Sequence, residues 1–330
     1  MQGEIKTILI TGANGFIGSR VCRLLAASGY AIRIICRESS NLSLLSDIPY
    51  SKYMADITNP DFLIPAVTGA DYIIHLAGLV KAKRKETYFR INQQGTLNIL
   101  NAVKNHNINL KRFVLISSTA AYGPSPGKPR REENPPQPLT TYGQSKLAAE
   151  EAARPYFDLF PITILRPPGV YGPGDKAIFP LFNIVNKGIR PYMAGGRNRV
   201  QMIYVDDLAE AIKCAIESST SSGQAYIIAD REAHTIREML DEIGTLLNKK
   251  GIGISIPLSF LKGMALFSEF LFRALGQTPH FSREKVIELT ADWEFDVSKA
   301  RNELGFEAQT NFTHGARMAI KWYRKKGWLK

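Results

Sequence analysis

"LITGANGFIGSR", Leu9 to Arg20, holds three glycines, Gly12, Gly15 and Gly18, at every third position. The apolar run Ile8-Leu9-Ile10 leads into it. Phe16 to Ser28 follows, with Val21, Leu24 and Leu25 at helical spacing and Gly29 as a stop. Strand, glycine turn and helix in that order bring free backbone N–H groups and the positive end of a helix to one point. Such a turn lets the main chain approach a pyrophosphate closely, so the stretch reads as the start of a dinucleotide-binding β-α-β unit. Its spacing is G-x-x-G-x-x-G rather than G-x-G-x-x-G, which leaves tight strand–helix packing as the alternative use of the glycines.

Further along the chain, strands are expected at 31–36, 51–55, 71–76 ("DYIIHL"), 111–117 ("KRFVLIS"), 161–165 and 224–229, and helices at 88–105 and 141–153. Alternating strands and helices with near-continuous apolar strand interiors predict an α/β fold, a Rossmann-type doubly wound parallel sheet covered on both faces. Regularity fades in "RPPGVYGPGD" (166–175). Residues 200–217 then give a strand-like stretch and a helix, and the pattern from Arg231 is helical with breaks at Pro257 and Pro279. Residues 1–170 and 199–230 are therefore assigned to the sheet domain. Residues 171–198 and 231–330 are assigned to a smaller, mostly helical substrate domain.

The chain has 330 residues, 45% hydrophobic and 22% charged, enough for one large or two modest domains with a sizeable core. Met1 to Lys6 has no secretory h-region, and Cys22, Cys36 and Cys214 are few, odd in number and without metal-like spacing. A reduced, cytoplasmic compartment and no metal are expected. Net charge is +12. Basic clusters at 81–85, 128–131 and 324–326 are joined to no nucleic-acid motif, so no nucleic-acid partner is expected. A solvated basic surface, an acidic membrane surface and an anionic ligand remain open readings.

The strand 31–36 ends at Cys36-Arg37, where a carboxylate would otherwise hold the ribose 2′-hydroxyl of NAD. Arg37 can instead pair with a 2′-phosphate, so NADP is the preferred coenzyme and NAD the alternative, with Glu38 working against that preference. "TYGQSK" puts Tyr142 and Lys146 four apart on one helix face. An ammonium beside a phenol lowers the phenol's pKa, and such a phenol exchanges a proton with a carbonyl or alcohol oxygen. Ser117 and Ser118 close the strand 111–117 at its C-terminal edge, where ligands bind in open α/β sheets, and Ser118 can share the same oxygen. His75 reads as a packed strand residue rather than a base or metal ligand. Asp206 and Asp207 read as caps of the helix that starts there.

These residues resemble the extended short-chain dehydrogenase/reductases, through "TGANGFIG" (11–18), "ADITNP" (55–60), "HLAG" (75–78), "INQQGT" (91–96), "SSTAAYG" (117–123), "YGQSK" (142–146), "RPPGVYGPGD" (166–175), "IYVDDLAEA" (203–211) and "FDVSKARNELGF" (295–306). The resemblance implies Tyr142 as catalytic acid/base, Lys146 holding the nicotinamide ribose and tuning Tyr142, and Ser118 polarising the substrate carbonyl. It implies coenzyme contacts from Gly12, Asn14, Gly15, Phe16, Ile17 and Gly18. Asp56 and Ile57 would meet the adenine, Leu76, Ala77 and Gly78 would line the adenosine side, and Ser117 and the Pro168–Val170 main chain would lie near the nicotinamide. Asn92 would brace the sheet edge or serve as a structural amide. A homodimer through the two helices flanking the site is also implied.

Two reactions stay open: NADP(H)-dependent ketone–alcohol interconversion, and NAD-dependent 4-epimerisation of a nucleotide sugar. Sugar-nucleotide members of the family place an arginine six residues before the first Asp of "VDD". Val200 stands there, with Arg197 and Arg199 nearby. Thr119-Ala120 after Ser118 lacks the acidic pair that dehydration needs. The stretch 256–276 places Leu261, Met264, Ala265, Leu271, Phe272 and Leu275 at helical spacing, widened by Phe260, Phe267 and Phe270, with Lys262, Glu269 and Arg273 as a polar stripe. It reads as a core helix, with an apolar lid over a lipophilic substrate and a membrane-peripheral surface as alternatives. This C-terminal region resembles those of the dihydroflavonol-reductase-like and 3β-hydroxysteroid-dehydrogenase-like branches.

Overall fold

The computed structural model describes residues 5–125, 127–274 and 281–330. The positions Leu275 and Pro279 of the sequence reading lie outside the described residues. The strands are β1 (Thr7–Thr11), β2 (Ala31–Cys36), β3 (Ser51–Met54), β4 (Tyr72–His75), β5 (Arg112–Ile116), β6 (Ile162–Arg166), β7 (Gly169–Tyr171), β8 (Ile189–Met193), β9 (Arg199–Val200), β10 (Met202–Tyr204), β11 (Gln224–Ile227), β12 (His234–Thr235) and β13 (Ile252–Ile256). The helices are α1 (Phe16–Ala27), α2 (Ile64–Val67), α3 (Lys85–Tyr88), α4 (Gly95–His106), α5 (Thr141–Ala153), α6 (Phe179–Asn186) and α7 (Val205–Glu217). After these come α8 (Ile236–Leu247), α9 (Leu258–Ala274), α10 (Arg283–Thr290), α11 (Ser298–Leu304) and α12 (Phe312–Lys325).

Among the described residues, seven strands form one sheet in the order β11-β6-β5-β4-β1-β2-β3, and every pairing in it is parallel. Strand alternation sorts the core into two layers. Ile8 and Ile10 of β1 point to one face and join Val21 and Leu25 of α1 and Ile212 of α7. Leu9, Ile73 and Phe113 point to the other and meet Ile99 and Val103 of α4. The strand order reverses between β1 and β4, which opens a crevice at the C-terminal ends of those strands.

A second core joins Tyr171, Phe182 and Tyr192 to Leu240 and Ile243 of α8 and to Phe312, Ile320 and Tyr323 of α12. This part is less purely helical than its sequence suggests, since β7/β10, β9/β12 and β8/β13 form two-stranded sheets within or beside it. The segment 298–308, assigned by sequence to the smaller domain, returns to the large sheet. Ala300, Leu304, Phe306 and Ala308 all pack in the first core.

Two expectations need correction. Asp206 and Asp207 do not cap α7, whose N-cap is Tyr204 with no side-chain cap bond. They lie in the first helical turn, facing the positive helix end. Asp206 pairs with Arg20 at 3.6 Å, and Asp207 accepts a hydrogen bond from the Thr310 amide at 2.9 Å. Likewise α9 is not a core helix. Among its described residues only Leu261 and Ala265 are buried, while Met264 and Leu271 are exposed together with Phe260, Phe267 and Phe270. No helix among the described residues is long and apolar enough to cross a membrane.

Candidate active site

The crevice at the strand-order reversal is a cleft of about 380 Å³. Its floor is the glycine turn. Gly12 has φ +71°, and a Cβ there would stand 2.8 Å from the Ala77 amide nitrogen, so only glycine lets β1 turn this close to the end of β4. Gly15 is the N-cap of α1 and offers no side-chain cap, which leaves the first amides of a 12-residue helix for a ligand. Thr11 Oγ1 accepts the Ala77 amide at 3.0 Å and locks the two strand ends together.

Thr11, Gly12, Asn14, Gly15, Cys36, Arg37, Asp56, Ile57, Leu76, Ala77 and Gly78 line the cleft. The sequence reading missed Ser40, Thr58 and Arg90, which line it too. Arg37 and Ser40 share one turn, with the Arg37 amide donating to Ser40 Oγ at 3.0 Å. Arg90 comes from the π-helical segment Phe89–Gln94, whose extra residue per turn no periodicity argument anticipates. Burial alone would raise the Asp56 carboxyl. Two Thr58 hydrogen bonds, at 2.8 Å each, and the Arg37 and Arg90 charges together hold it below the usual carboxylate range.

Phe16, Ile17, Gly18, Ser117, Pro168 and Val170 lie outside that lining. Gly18 serves packing, because a Cβ there would fall 2.2 Å from the Gly12 carbonyl oxygen. Ser117, at the C-terminal end of β5, is buried and its hydroxyl has no hydrogen-bond partner. An orphaned buried hydroxyl is a group that a ligand can satisfy. The adjoining Pro167 carbonyl accepts the Thr119 amide at 3.0 Å and ties the 166–170 segment to the Ser118 turn.

Ser118 is the N-cap of the short 3₁₀ turn Thr119–Ala121, its Oγ accepting the Ala120 amide at 3.1 Å. Thr140 caps α5 in the same way, through the Gly143 amide at 3.1 Å. Gly143 then lets α5 press onto the Ser118 turn, since a Cβ there would lie 2.2 Å from the Ala120 carbonyl oxygen. This approach brings Tyr142 to Ser118. Their side-chain hydrogen bond lowers the phenol's pKa, yet burial is the larger effect and, with Glu288 and Tyr88 nearby, pushes Tyr142 up to about 12.

Lys146, one helical turn on, is buried, and its Nζ donates to the Ile116 carbonyl at 2.6 Å. Burial pulls its pKa down to about 8 against the opposing Glu150 charge. Lys146 is not among the groups that shift the phenol here. The ammonium is committed to the end of β5, and desolvation governs the phenol.

Asn92 clamps the loop after Gly78. Its Oδ1 accepts the Leu79 amide at 2.7 Å, and its Nδ2 donates to the Leu79 carbonyl at 3.1 Å and to Ser145 Oγ at 2.8 Å. His75 is a satisfied core histidine, bonded to Thr11 Oγ1 at 2.8 Å and Thr96 Oγ1 at 3.1 Å, with burial and then Lys146 driving its pKa down to about 3. Among the described residues, no group of three or more His, Cys, Asp or Glu is arranged to hold a metal ion.

Two further groups were not foreseen. Arg166 and Glu150 form a buried ion pair at 2.7 Å, with the guanidinium 3.8 Å from the centre of the Tyr122 ring. Residues 292–296 form a strap between the loop 124–131 and β9. Ser125 donates its amide to the Asp292 carbonyl and Arg130 to Glu294, while Gln201 donates to Trp293 on the other side.

Known proteins give the same picture. The sequence pattern of the NAD dependent epimerase/dehydratase family matches residues 8–229. A ceramide reductase of Caulobacter vibrioides is 29% identical over 98% of this chain and 96% of its own length. The N-acetyl-alpha-D-glucosaminyl-diphospho-ditrans,octacis-undecaprenol 4-epimerase of Escherichia coli O157:H7 is 26% identical over 93% of this chain and 92% of its own. The crystal structure of gox2253 superposes with a TM-score of 0.85 at 26% identity, covering 98% of this chain and all of that one (100%). A glycine turn at a strand-order reversal, with a serine after the adjoining strand and a tyrosine and a lysine on the helix beside it, thus meets a family match over most of the chain: this protein belongs to the NAD-dependent epimerase/dehydratase family, within the extended short-chain dehydrogenase/reductases.

Proposed function

We propose that the protein is an NADP(H)-dependent oxidoreductase that interconverts a ketone and a secondary alcohol. The observation that carries this reading is the convergence of Ser118, Tyr142 and Lys146 beside a cleft whose glycine turn and uncapped helix fit a dinucleotide pyrophosphate. The coenzyme supplies or takes the hydride when bound. The chain's own residues do the rest. Tyr142 gives a proton to the carbonyl oxygen in reduction and takes one from the alcohol in oxidation. Ser118, close enough to Tyr142 to act on it, offers a second donor where negative charge develops. Lys146 would hold hydroxyl groups of the ribose, and Asn92 fixes the loop after Gly78.

Arg37 and Ser40 just after β2, with Arg90 from the π-helical segment across the same cleft, support NADP over NAD, since two guanidinium groups and a hydroxyl suit a 2′-phosphate. Relatives named as a ceramide reductase and as a putative dihydroflavonol 4-reductase of Synechocystis support carbonyl reduction. Relatives named as 4-epimerases keep the sugar-nucleotide reaction as the competing reading.

The test is Tyr142→Phe on a panel of ketones and alcohols with NADPH and NADH. Turnover should fall by roughly 10²–10⁴-fold while NADPH affinity is retained. Near-normal turnover in the variant would overturn the assignment. Thermal melting separates the two reactions: NADP should stabilise the protein more than NAD or uridine diphosphate. NAD retained through purification, with stabilisation by uridine diphosphate, would establish the epimerase instead.

A further inference from the structure

Helix α9 is built the wrong way round for a helix covering a protein core. Its inward seam is narrow: Leu261 and Ala265 pack with Val286 of α10 and with Met193 and Ile256 from the ends of β8 and β13. Its outward side is the broad apolar one. Phe260, Met264, Phe267 and Leu271 follow each other at spacings of four, three and four residues, the repeat of a single helix face. Phe260 is 59%, Phe267 68% and Phe270 76% exposed, with Leu266 exposed beside them.

The surface continues onto the sheet. In the parallel pair β8/β13, Ile252 stands opposite Ile189 and Ile256 opposite Met193. Alternation puts Ile252, Ile254 and Ile256 on one face. Ile256 lies under α9, whereas Ile252, 74% exposed, Ile254 and Ile189 prolong the same face uncovered. Contiguous apolar surface of this kind marks an interaction site.

Charge selects the occupant. Lys249 and Lys250 lead into β13, Lys187 precedes β8, and Lys262 rides on α9, all exposed. The acidic Glu269 on the same helix is held by Arg283 at 2.9 Å. The whole chain carries +12. Two copies meeting on this face would bring like-charged rims together, whereas an anionic lipid surface matches both the phenylalanines and the lysines.

Helix α10 links the patch to the catalytic groups. Val286 of α10 packs under α9, and Glu288, on the same helix, acts electrostatically on Tyr142. We propose that α9 and β13 lie on an anionic bilayer and that the substrate is an amphiphile, with its ketone or alcohol near the head group, that passes from the bilayer to Tyr142 beneath α10. The substrate half of this statement rests on the oxidoreductase reading; the bilayer half does not.

The experiment is co-sedimentation of the full chain with vesicles of phosphatidylcholine, with and without phosphatidylglycerol. The protein should pellet with the phosphatidylglycerol vesicles and be partly released by salt. Phe267→Asp/Phe270→Asp should lower partitioning by on the order of a hundredfold or more, as the loss of two inserted aromatics requires. Phe62→Asp, an exposed phenylalanine outside the patch, should bind as the unaltered chain does. NADPH affinity, retained in both variants, shows that they fold. Tyr142→Phe should pellet normally, so a failed oxidoreductase assignment leaves this result standing. Protein that stays in the supernatant, or a double variant that pellets undiminished, overturns the proposal. So does a concentration-dependent dimer that the double variant abolishes, since the face would then belong to a second copy.

Discussion

At the scale of single residues, Lys146 sets a cost that its position does not hide. Its amine is buried against the end of β5, with a pKa near 8 rather than the unfolded value of about 10.4. The sign follows from linkage. Below about pH 8 the folded chain must keep an ammonium in a site that disfavours charge, so the penalty is fully present there. Between about pH 8 and pH 10 the unfolded chain binds more protons than the folded one, and stability rises with pH. Lys146→Met removes the penalty and leaves the Ile116 carbonyl short of one donor, an offset of about 1 kcal/mol. We expect a net gain on the order of 1–2 kcal/mol near pH 7, a rise of a few degrees in Tm, shrinking toward zero near pH 10. Calorimetry across that range checks it, and a lower Tm near pH 7 contradicts it. Activity should be lost in the same variant, the pattern of a residue kept for function at the expense of stability.

At the scale of elements, α5 works as one bar. Tyr142, Lys146 and Glu150 recur every fourth residue and so share a face. The last of them is bolted to β6 by Arg166, which also lies over Tyr122 just beyond the Ser118 turn. Breaking one side of a buried pair strands the other charge, so Arg166→Ala should destabilise by about 3–5 kcal/mol. Arg166→Met combined with Glu150→Leu should recover much of that loss in urea unfolding. A double variant as unstable as the single one would show that packing, not the stranded carboxylate, dominates. The sequence makes most of these elements readable, because β1, β4 and β5 are near-continuous apolar runs and α1 and α5 carry their glycine and threonine signals locally. What it hides is pairing between distant segments. Nothing near Arg166 announces Glu150, and the periodicity of α9 is equally good for a helix facing inward or outward. The Asp206-Asp207 pair has the composition of a cap, yet the chain enters α7 at Tyr204, two residues before the first carboxylate. The π-helical turn that delivers Arg90 breaks the very period by which helices are read.

At the scale of the molecule, labour is divided. The residues lining the coenzyme cleft lie between Thr11 and Ile91, while α10, whose Glu288 charge acts on Tyr142, belongs to the C-terminal part. The two are fastened by the strap 292–296, and Gln201 is its buried pin. The Gln201 side chain donates to the Asp230 carbonyl at 2.8 Å and accepts the Phe295 amide. Gln201→Ala leaves two buried backbone groups unpaired, a loss of about 2–4 kcal/mol, and frees the strap to move. Because the strap touches no residue of the coenzyme cleft, NADPH affinity should stay within about twofold in titration calorimetry. Substrate KM should rise by on the order of tenfold as α10 loses its fixed distance from Tyr142. Gln201→Glu, which still accepts from Phe295 but cannot donate to Asp230, should fall between the two in stability and KM. Equal losses of coenzyme and substrate affinity would mean that the strap holds the large sheet itself, and that the division of labour is not mechanical.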